Sequence, residues 1–304
     1  MASPPGPGTD RNGQPELTDV PYTSSVGAPP GVEVLDFPGL LARAAGHGVD
    51  PYSPIRAAFH ELIAVRSGVL EYSLDFTEHR LGEGSWLWAR PGQVHQFRSD
   101  LAAAEGVVIL IRPGFLGPAA LTADIAHRPP QGPLIPEGAA GDALSTLLAL
   151  LAGEYRRPAN LPPDVHIEVL RHLLTALVLR LAHLRGPRSD AETGTEVFRR
   201  FRRAVEDGYT RSHRVEDYAR NLRYSVRTLT RATRAATGRG AKRFIDDRVL
   251  LEAKRLLVHT DLSATAVGER LGFPDATVFT KFFRLRVGET PTAFRDTARG
   301  TRRP

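Results

Sequence analysis

Two hydrophobic rhythms divide the chain. Over 32–112 apolar residues come in short runs broken by Gly and Pro, as in "FHELIAVRSGVLEYSL", "HRLGEGSWLWARPGQVHQF" and "EGVVILIRP", which predicts strands and turns. Ser67-Gly68 and Glu83-Gly84 are expected as hairpin connections, and Pro91-Gly92 as a turn. Strands this short and evenly punctuated point to a small antiparallel barrel or sandwich. After Gly141 the rhythm lengthens to that of a helix, and "DALSTLLALLAGEYRR" and "DVHIEVLRHLLTALVLRLAHLR" predict two helices, each with an Asp N-cap and basic residues in the last turn. On the second, Ile167, Leu170, Leu174, Leu177, Leu181 and Leu184 alternate spacings of three and four, an a/d seam. That seam either packs on its own barrel or pairs with its copy in a second subunit to make a homodimer.

The flanks lack this patterning. Residues 1–31 are rich in Pro, Gly, Ser and Thr and bury too little to offset chain entropy, so a disordered tail is expected. The polar stretch "RGPRSDAETG" marks a linker, taken as 187–197, between a domain at 32–186 and another at 198–299.

The second domain contains an internal repeat. "SVRTLTRATRAATGRGAKRFI" and the stretch beginning at Asp275 superimpose at a constant offset of fifty, placing Leu229 on Phe279, Thr230 on Thr280, Arg231 on Lys281, Arg234 on Arg284, Gly238 on Gly288 and Phe244 on Phe294. Such self-similarity means one small unit built twice. Each copy is expected to be a helix-turn-helix, over 215–238 and 264–288, with Ser225 or Asp275 as N-cap and Gly238 closing the first copy's second helix. Val215, Ala219, Leu222 and Leu229 would face inward in the first, and Val267, Leu271 and Phe279 in the second, with Phe282, Phe283 and Phe294 adding to the core. Arg227, Thr230, Arg231 and Arg234 then fall on the outer face of the first reading helix, and Ala276, Thr277, Thr280 and Lys281 on that of the second. An exposed helix with this chemistry suits the major groove of double-stranded DNA, where Arg reads guanine and Thr bonds a base or touches a thymine methyl. "AKRFIDDRVLLEAKRLLVHTDLS" joins the copies, with Ile245, Val249, Leu256 and Leu257 along one face of a connecting helix.

Charge sharpens this picture. The net charge of +6 conceals a segregation: from Ala191 onward there are 25 Lys and Arg against 14 Asp and Glu, while the remainder has 15 against 20. A basic C-terminal third fits a polyanion partner or a solvated helical surface. With no cysteine there is neither disulfide nor thiolate metal site. No signal-like start or membrane-length apolar run occurs, so a cytoplasmic protein without membrane attachment is expected.

The pattern "GFPDATVFTKFFRLRVGETPTAFR", with "RVLLEAKRLL" in the connector, resembles the AraC/XylS-type family of transcriptional regulators. The resemblance implies two helix-turn-helix units entering adjacent major grooves, and an activator that contacts RNA polymerase. It departs from the family at Arg223, where the first turn often has Gly, at Gly268, where Ala is usual, and at Ala264, where a larger aliphatic stands. Gly268 is expected to leave the second unit less rigid. More weakly, the strand region resembles the family's cupin-like effector domain. That implies a small-molecule effector inside the barrel, near "PGQVHQF", with His95, Phe97 and Trp88 as its contacts. The fold expected is therefore α+β: an antiparallel, cupin-like β-barrel with two trailing helices, followed by an all-α domain of two helix-turn-helix units.

Two other functions compete. A cupin-fold metalloenzyme with a basic C-terminal appendage would need three or four converging His and carboxylate ligands, yet no His-x-His occurs and His60, His79 and His95 are scattered. A nonspecific DNA-coating protein would use its arginines for counterion release alone, which leaves the interleaved threonines without a role. No enzyme activity, metal or cofactor is expected.

Overall fold

The computed structural model describes residues 17–116, 132–157, 161–184 and 192–299. Tail residues 1–16 and linker residues 187–191 lie outside the described residues. The rest form two compact units that divide between 184 and 192.

The first unit is built on two sheets. One orders its strands β1 (Thr18–Val20), β3 (Ile55–Ala57), β8 (Val94–Phe97), β5 (Leu70–Leu74) and β6 (Thr77–Leu81), the other β2 (Val32–Asp36), β9 (Ala104–Ile111), β4 (His60–Gly68) and β7 (Trp86–Ala89). Strands β4 and β9 are covered on both faces. Leu62, Ala64, Val107, Ile109 and Ile111 join one core, while Ile63, Val65, Val108 and Leu110 join the other. Continuous burial explains why "VVILI" does not alternate. The second of these cores lies between the sheets and includes Phe37 and Leu40 of α1 (Phe37–Gly46). The first is closed by α2 (Gly138–Arg156) and α3 (Pro163–His183).

Several expectations are corrected here. Among the described residues the sheets make a sandwich with two edges each, not a closed barrel. Ser67-Gly68 and Glu83-Gly84 do not close hairpins; each carries the chain from one sheet to the other, as does Pro91-Gly92, which is a turn as expected. Their glycines have φ of +78°, +75° and +80°, and a residue chosen for positive φ fixes a bend without fixing which strands pair. The hairpin is β5–β6, turning through Asp75 and Phe76 with φ of 47° and 68°, positive at both central positions as a two-residue type I′ loop requires. Within the expected tail, Thr18–Val20 adds a parallel edge strand to β3, and Tyr22 packs edge-on against Phe59 at 5.8 Å. Main-chain pairing fixes this strand, which is too short to show an apolar period. Helix α1 had a start signal that strand periodicity masked: Asp36 accepts from the Gly39 amide at 2.8 Å, with Pro38 in the first turn. Neither trailing helix has an Asp N-cap, because Glu137 and Pro162 occupy those positions. The leucine seam packs on its own domain: Leu170, Leu174, Leu177 and Leu181 are buried in the core shared with β4, β7 and β9. Buried there, these four leucines are not exposed on the surface of the domain.

In the second unit α4 (Glu192–Gly208) begins inside the expected linker, and Val197, Phe198 and Phe201 already belong to the core. The helix-turn-helix pairs are α5 (Val215–Leu222) with α6 (Val226–Thr237), and α8 (Ala264–Arg270) with α9 (Ala276–Val287). Helix α7 (Ala241–His259) joins them, and α10 (Pro291–Ala298) is the last element among the described residues. Fifty-residue symmetry is visible in the backbone. Ser225 Oγ accepts from the Thr228 amide at 3.0 Å, and Asp275 Oδ1 from the Val278 amide at 2.8 Å. Both reading helices have twelve residues and end on a glycine of positive φ, Gly238 and Gly288. Ile245, Val249, Leu256 and Leu257 of α7 are buried together with Leu229, Phe279 and Phe283.

Gly268 is not a loose point in this core. A Cβ there would stand 2.9 Å from Phe279 Cβ, so the missing methyl lets α8 approach a bulky residue on α9. The matching positions of the first unit are Ala219 and Leu229, both buried: the larger the residue on the second helix, the smaller its neighbour on the first. Gly268→Ala is therefore expected to lose about 1–2 kcal/mol, because overpacking of about 1–3 kcal/mol outweighs a helix gain of about 0.5–1 kcal/mol. Adding Phe279→Leu should restore most of it in urea denaturation followed by helical circular dichroism. A stabilised single variant would show that the two helices are free to part.

Candidate nucleic-acid interface

The reading faces follow from what the opposite faces bury. On α6, Leu229, Ala232 and Thr233 are buried, which turns Arg227, Arg231 and Arg234 to solvent with Thr230 half-exposed between them. On α9, Phe279 and Phe283 point inward. Ala276, Thr277, Thr280 and Lys281 share an open concavity with Arg284, Leu285 and Gly288. All eight residues expected at the DNA thus lie on two helix faces, four on each. Arg284, exposed beside Lys281, was missed; its position fifty after Arg234 was the signal that could have found it.

Pairing separates these cations from their neighbours. Arg239 and Arg243 bond Asp247 at 2.6 and 2.8 Å, Lys242 bonds Asp246 at 2.5 Å, and Arg248 bonds Glu206 at 2.8 Å. Arg286 also binds Asp246. Arg295 donates to the Leu257 carbonyl and Arg299 to that of Val258, each at 2.7 Å, closing the end of α7. Among the described residues Arg227, Arg231, Arg234, Lys281 and Arg284 have no carboxylate partner. The hydroxyls divide the same way. Thr233 and Thr237 donate to the carbonyls four residues back, at 2.7 and 2.8 Å, whereas no such bond occupies Thr230, Thr277 or Thr280.

Arg223 closes α5 in the left-handed region at φ 59°, where the second unit has Gly272 at φ +81°. The departure at this turn is thus a residue substituted into unchanged backbone geometry.

The three residues expected to contact an effector do not converge. His95 and Phe97 point between the sheets, where Tyr72 stacks on His95 with centroids 5.7 Å apart and meets Phe97 edge-on at 5.0 Å. Trp88 lies in the core on the opposite face of its sheet, and its Nε1 donates to His60 Nδ1 at 3.2 Å. Strand alternation separates them: Leu87 and Ala89 face the inter-sheet core, so Trp88 cannot. Sequence reasoning missed Glu61, buried opposite His95, whose Oε1 accepts from the Tyr72 hydroxyl at 2.9 Å and whose Oε2 is 3.7 Å from His95 Nε2. Burial, with the Glu61 charge beside it, holds the Tyr72 hydroxyl well above its ordinary pKa. Neither ring nitrogen of His95 has a hydrogen-bond partner among the described residues, although the side chain is only 2% exposed.

Comparison with known proteins agrees with the division into two units. Residues 36–170 match the AraC-like ligand binding domain and residues 218–297 a helix-turn-helix domain. Together the matches span more than two thirds of the chain and define a class: a ligand-binding β domain followed by a helix-turn-helix domain. The chain belongs to the AraC-type family of transcriptional regulators. It is 27% identical over 132 residues to the HTH-type transcriptional activator RhaS of Klebsiella pneumoniae (strain 342), covering 43% of this chain and 48% of the relative. It is 27% identical over 135 residues to the uncharacterized HTH-type transcriptional regulator YfiF of Bacillus subtilis (strain 168), covering 42% and 43%. The chain thus spans about half the length of the curated relatives it matches. Among solved structures, ToxT from Vibrio cholerae O395 aligns over 88% of this chain and 98% of its own, at 13% identity and a TM-score of 0.38. Among the described residues no helix is long and apolar enough to cross a membrane.

Proposed function

We propose that the chain is a sequence-specific, effector-responsive transcriptional regulator whose α6 and α9 enter adjacent major grooves of double-stranded DNA. One observation carries this: the cations and threonine hydroxyls on those two faces are left unpaired, while those around them are satisfied within the protein. Unpaired Arg beside Thr suits base edges, whereas a coating protein needs only charge. Helix α7 spaces the heads; its nineteen residues span about 28 Å at 1.5 Å each. RNA polymerase is the protein partner this proposal adds, and no subunit pairing through the leucines of α3 enters it.

The effector would lie between the sheets, against His95 and Phe97. A buried imidazole without a hydrogen-bond partner is costly, and a polar ligand would satisfy it; Trp88 has no part in this site. The metalloenzyme alternative gains nothing from the same residues, because His60 is spent on Trp88 and His95 stands in the other sheet.

Selection of duplexes from a random pool by the full chain, with and without candidate metabolites, tests both halves. On the selected duplex Arg231→Ala is expected to lose about 1–3 kcal/mol of discrimination at one base step, measured by competition with single-base variants. Equal weakening on every sequence would reduce Arg231 to a phosphate contact and count against base reading.

A further inference from the structure

The repeat makes the two heads comparable position by position, and they are chemically unlike. Where α6 carries Val226, Arg227, Thr230 and Arg231, α9 carries Ala276, Thr277, Thr280 and Lys281 at the same offset of fifty, with the same N-cap and C-cap geometry. Arg227 and Arg231 are exposed and unpaired one turn apart, about 6 Å along the helix axis, which is close to the rise of two base pairs at about 3.4 Å each. Each guanidinium fork matches the N7 and O6 acceptors of a guanine. At the first of those positions α9 replaces the long, forked cation with Thr277, exposed, short and methyl-bearing. The methyls of Ala276, Thr277 and Thr280 therefore form the surface that the N-terminal half of α9 offers a groove. Lys281 alone carries charge there, as a point charge without a fork.

Resting on the DNA-binding proposal above, we infer that the two heads read blocks of different base chemistry. Helix α6 takes a guanine-bearing block, with two guanines within about three base pairs on one face of the groove. Helix α9 takes a thymine-bearing block and recognises the 5-methyl groups. The operator is then a tandem of unlike half-sites, although the protein is a tandem of like folds, and Arg227 and Thr277 are the pair of equivalent residues that sets the difference.

The test uses the full chain on a duplex enriched from a random pool, with atoms removed from the DNA one at a time. Replacing guanine by 7-deazaguanine deletes the N7 acceptor, and replacing thymine by deoxyuridine deletes the methyl. Expected is a loss of about tenfold from 7-deazaguanine in one block only, and of about threefold to tenfold from deoxyuridine in the other only. Arg227→Ala should abolish the 7-deazaguanine sensitivity at one of the two guanines, keep it at the guanine read by Arg231, and leave the deoxyuridine sensitivity unchanged. Thr277→Arg, which places the fork of the first head on the second, should raise enrichment of guanine in the thymine block. Insensitivity of the second block to deoxyuridine, or guanine enriched equally in both blocks of the wild-type selection, would overturn this inference while leaving sequence-specific binding intact. A pool with no enrichment at all would instead sink the DNA-binding proposal, and this one with it.

Discussion

Gly272→Ala is expected to cost the second unit about 2–5 kcal/mol, more than any other single methyl considered. Two effects add. Gly272 sits at φ +81°, and its new Cβ would lie 2.0 Å from the Thr210 carbonyl oxygen. A left-handed backbone costs an L-residue about 1–2 kcal/mol, and forcing atoms into packed space about 1–3 kcal/mol more. Here the obstacle is main chain, which cannot rotate aside as a side-chain end would. The position also couples the two halves. Thr210 belongs to the loop that leads into the first helix-turn-helix, and the same loop sends His213 to the second, its Nε2 2.8 Å from the Leu271 carbonyl oxygen and its ring 4.5 Å from that of Phe273. Burial holds the His213 pKa below its ordinary value, partly offset by that carbonyl. With typical domain stabilities of about 5–15 kcal/mol, the substitution should remove a large fraction of the total. Both tryptophans, Trp86 and Trp88, lie in the first unit. Denaturation of the full chain should therefore move the helical circular dichroism transition to lower denaturant and leave the tryptophan fluorescence transition in place. An unmoved helical transition would mean that the 209–214 loop yields freely to the methyl.

The contrast between Gly272 and the glycines of the first unit shows what could be read in advance. In the second unit the repeat supplied two independent copies of every signal. Ser225 and Asp275 as N-caps, Leu229 and Phe279 inward, and Arg231 and Lys281 outward were each legible because a helix face is a local consequence of spacing. The β unit offered no such redundancy. Gly68, Gly84 and Gly92 announced bends, but whether a bend joins neighbours in one sheet or crosses to another depends on long-range pairing that no local residue records. The leucine seam had the same ambiguity, since spacings of three and four describe any apolar stripe, and contact with β4, β7 and β9 decides what covers it. At the expected effector site the sequence did not show which residues share a face. His95 and Phe97 share an alternation and meet; Trp88 belongs to the opposite one. Glu61 was invisible because a lone carboxylate in an apolar strand has no pattern of its own, and only the fold brings it to Tyr72 and His95.

Asp246→Ala is expected to be the most damaging change to a charged side chain, at about 3 kcal/mol. Asp246 lies in the middle of the second unit with its side chain only 1% exposed, accepting from Lys242 on its own helix at 2.5 Å and from Arg286 in the last turn of α9. Lys242 is exposed and returns to water at little cost, as surface partners do. Arg286 does not have that freedom. It is 19% exposed and lies 5.9 Å from the Phe282 ring centroid, and a buried charge stripped of its counter-ion accounts for most of the roughly 3–5 kcal/mol that breaking such a pair costs. A specific non-additivity follows: Arg286→Ala alone should cost less, because Asp246 keeps Lys242, and Asp246→Ala with Arg286→Ala should be no worse than Asp246→Ala alone. Strict additivity across this cycle, measured by urea denaturation of the full chain, would show that the charges do not interact. Because Arg286 ties the end of the second reading helix to α7, the same loss has a directional consequence for DNA. Asp246→Ala at temperatures where the unit remains folded should weaken contacts at the block read by α9 and spare those under α6, since Ser225, Leu229 and Thr233 hold α6 without it. Equal weakening at both blocks would place Asp246 in the stability of the whole unit and remove it from the positioning of one head.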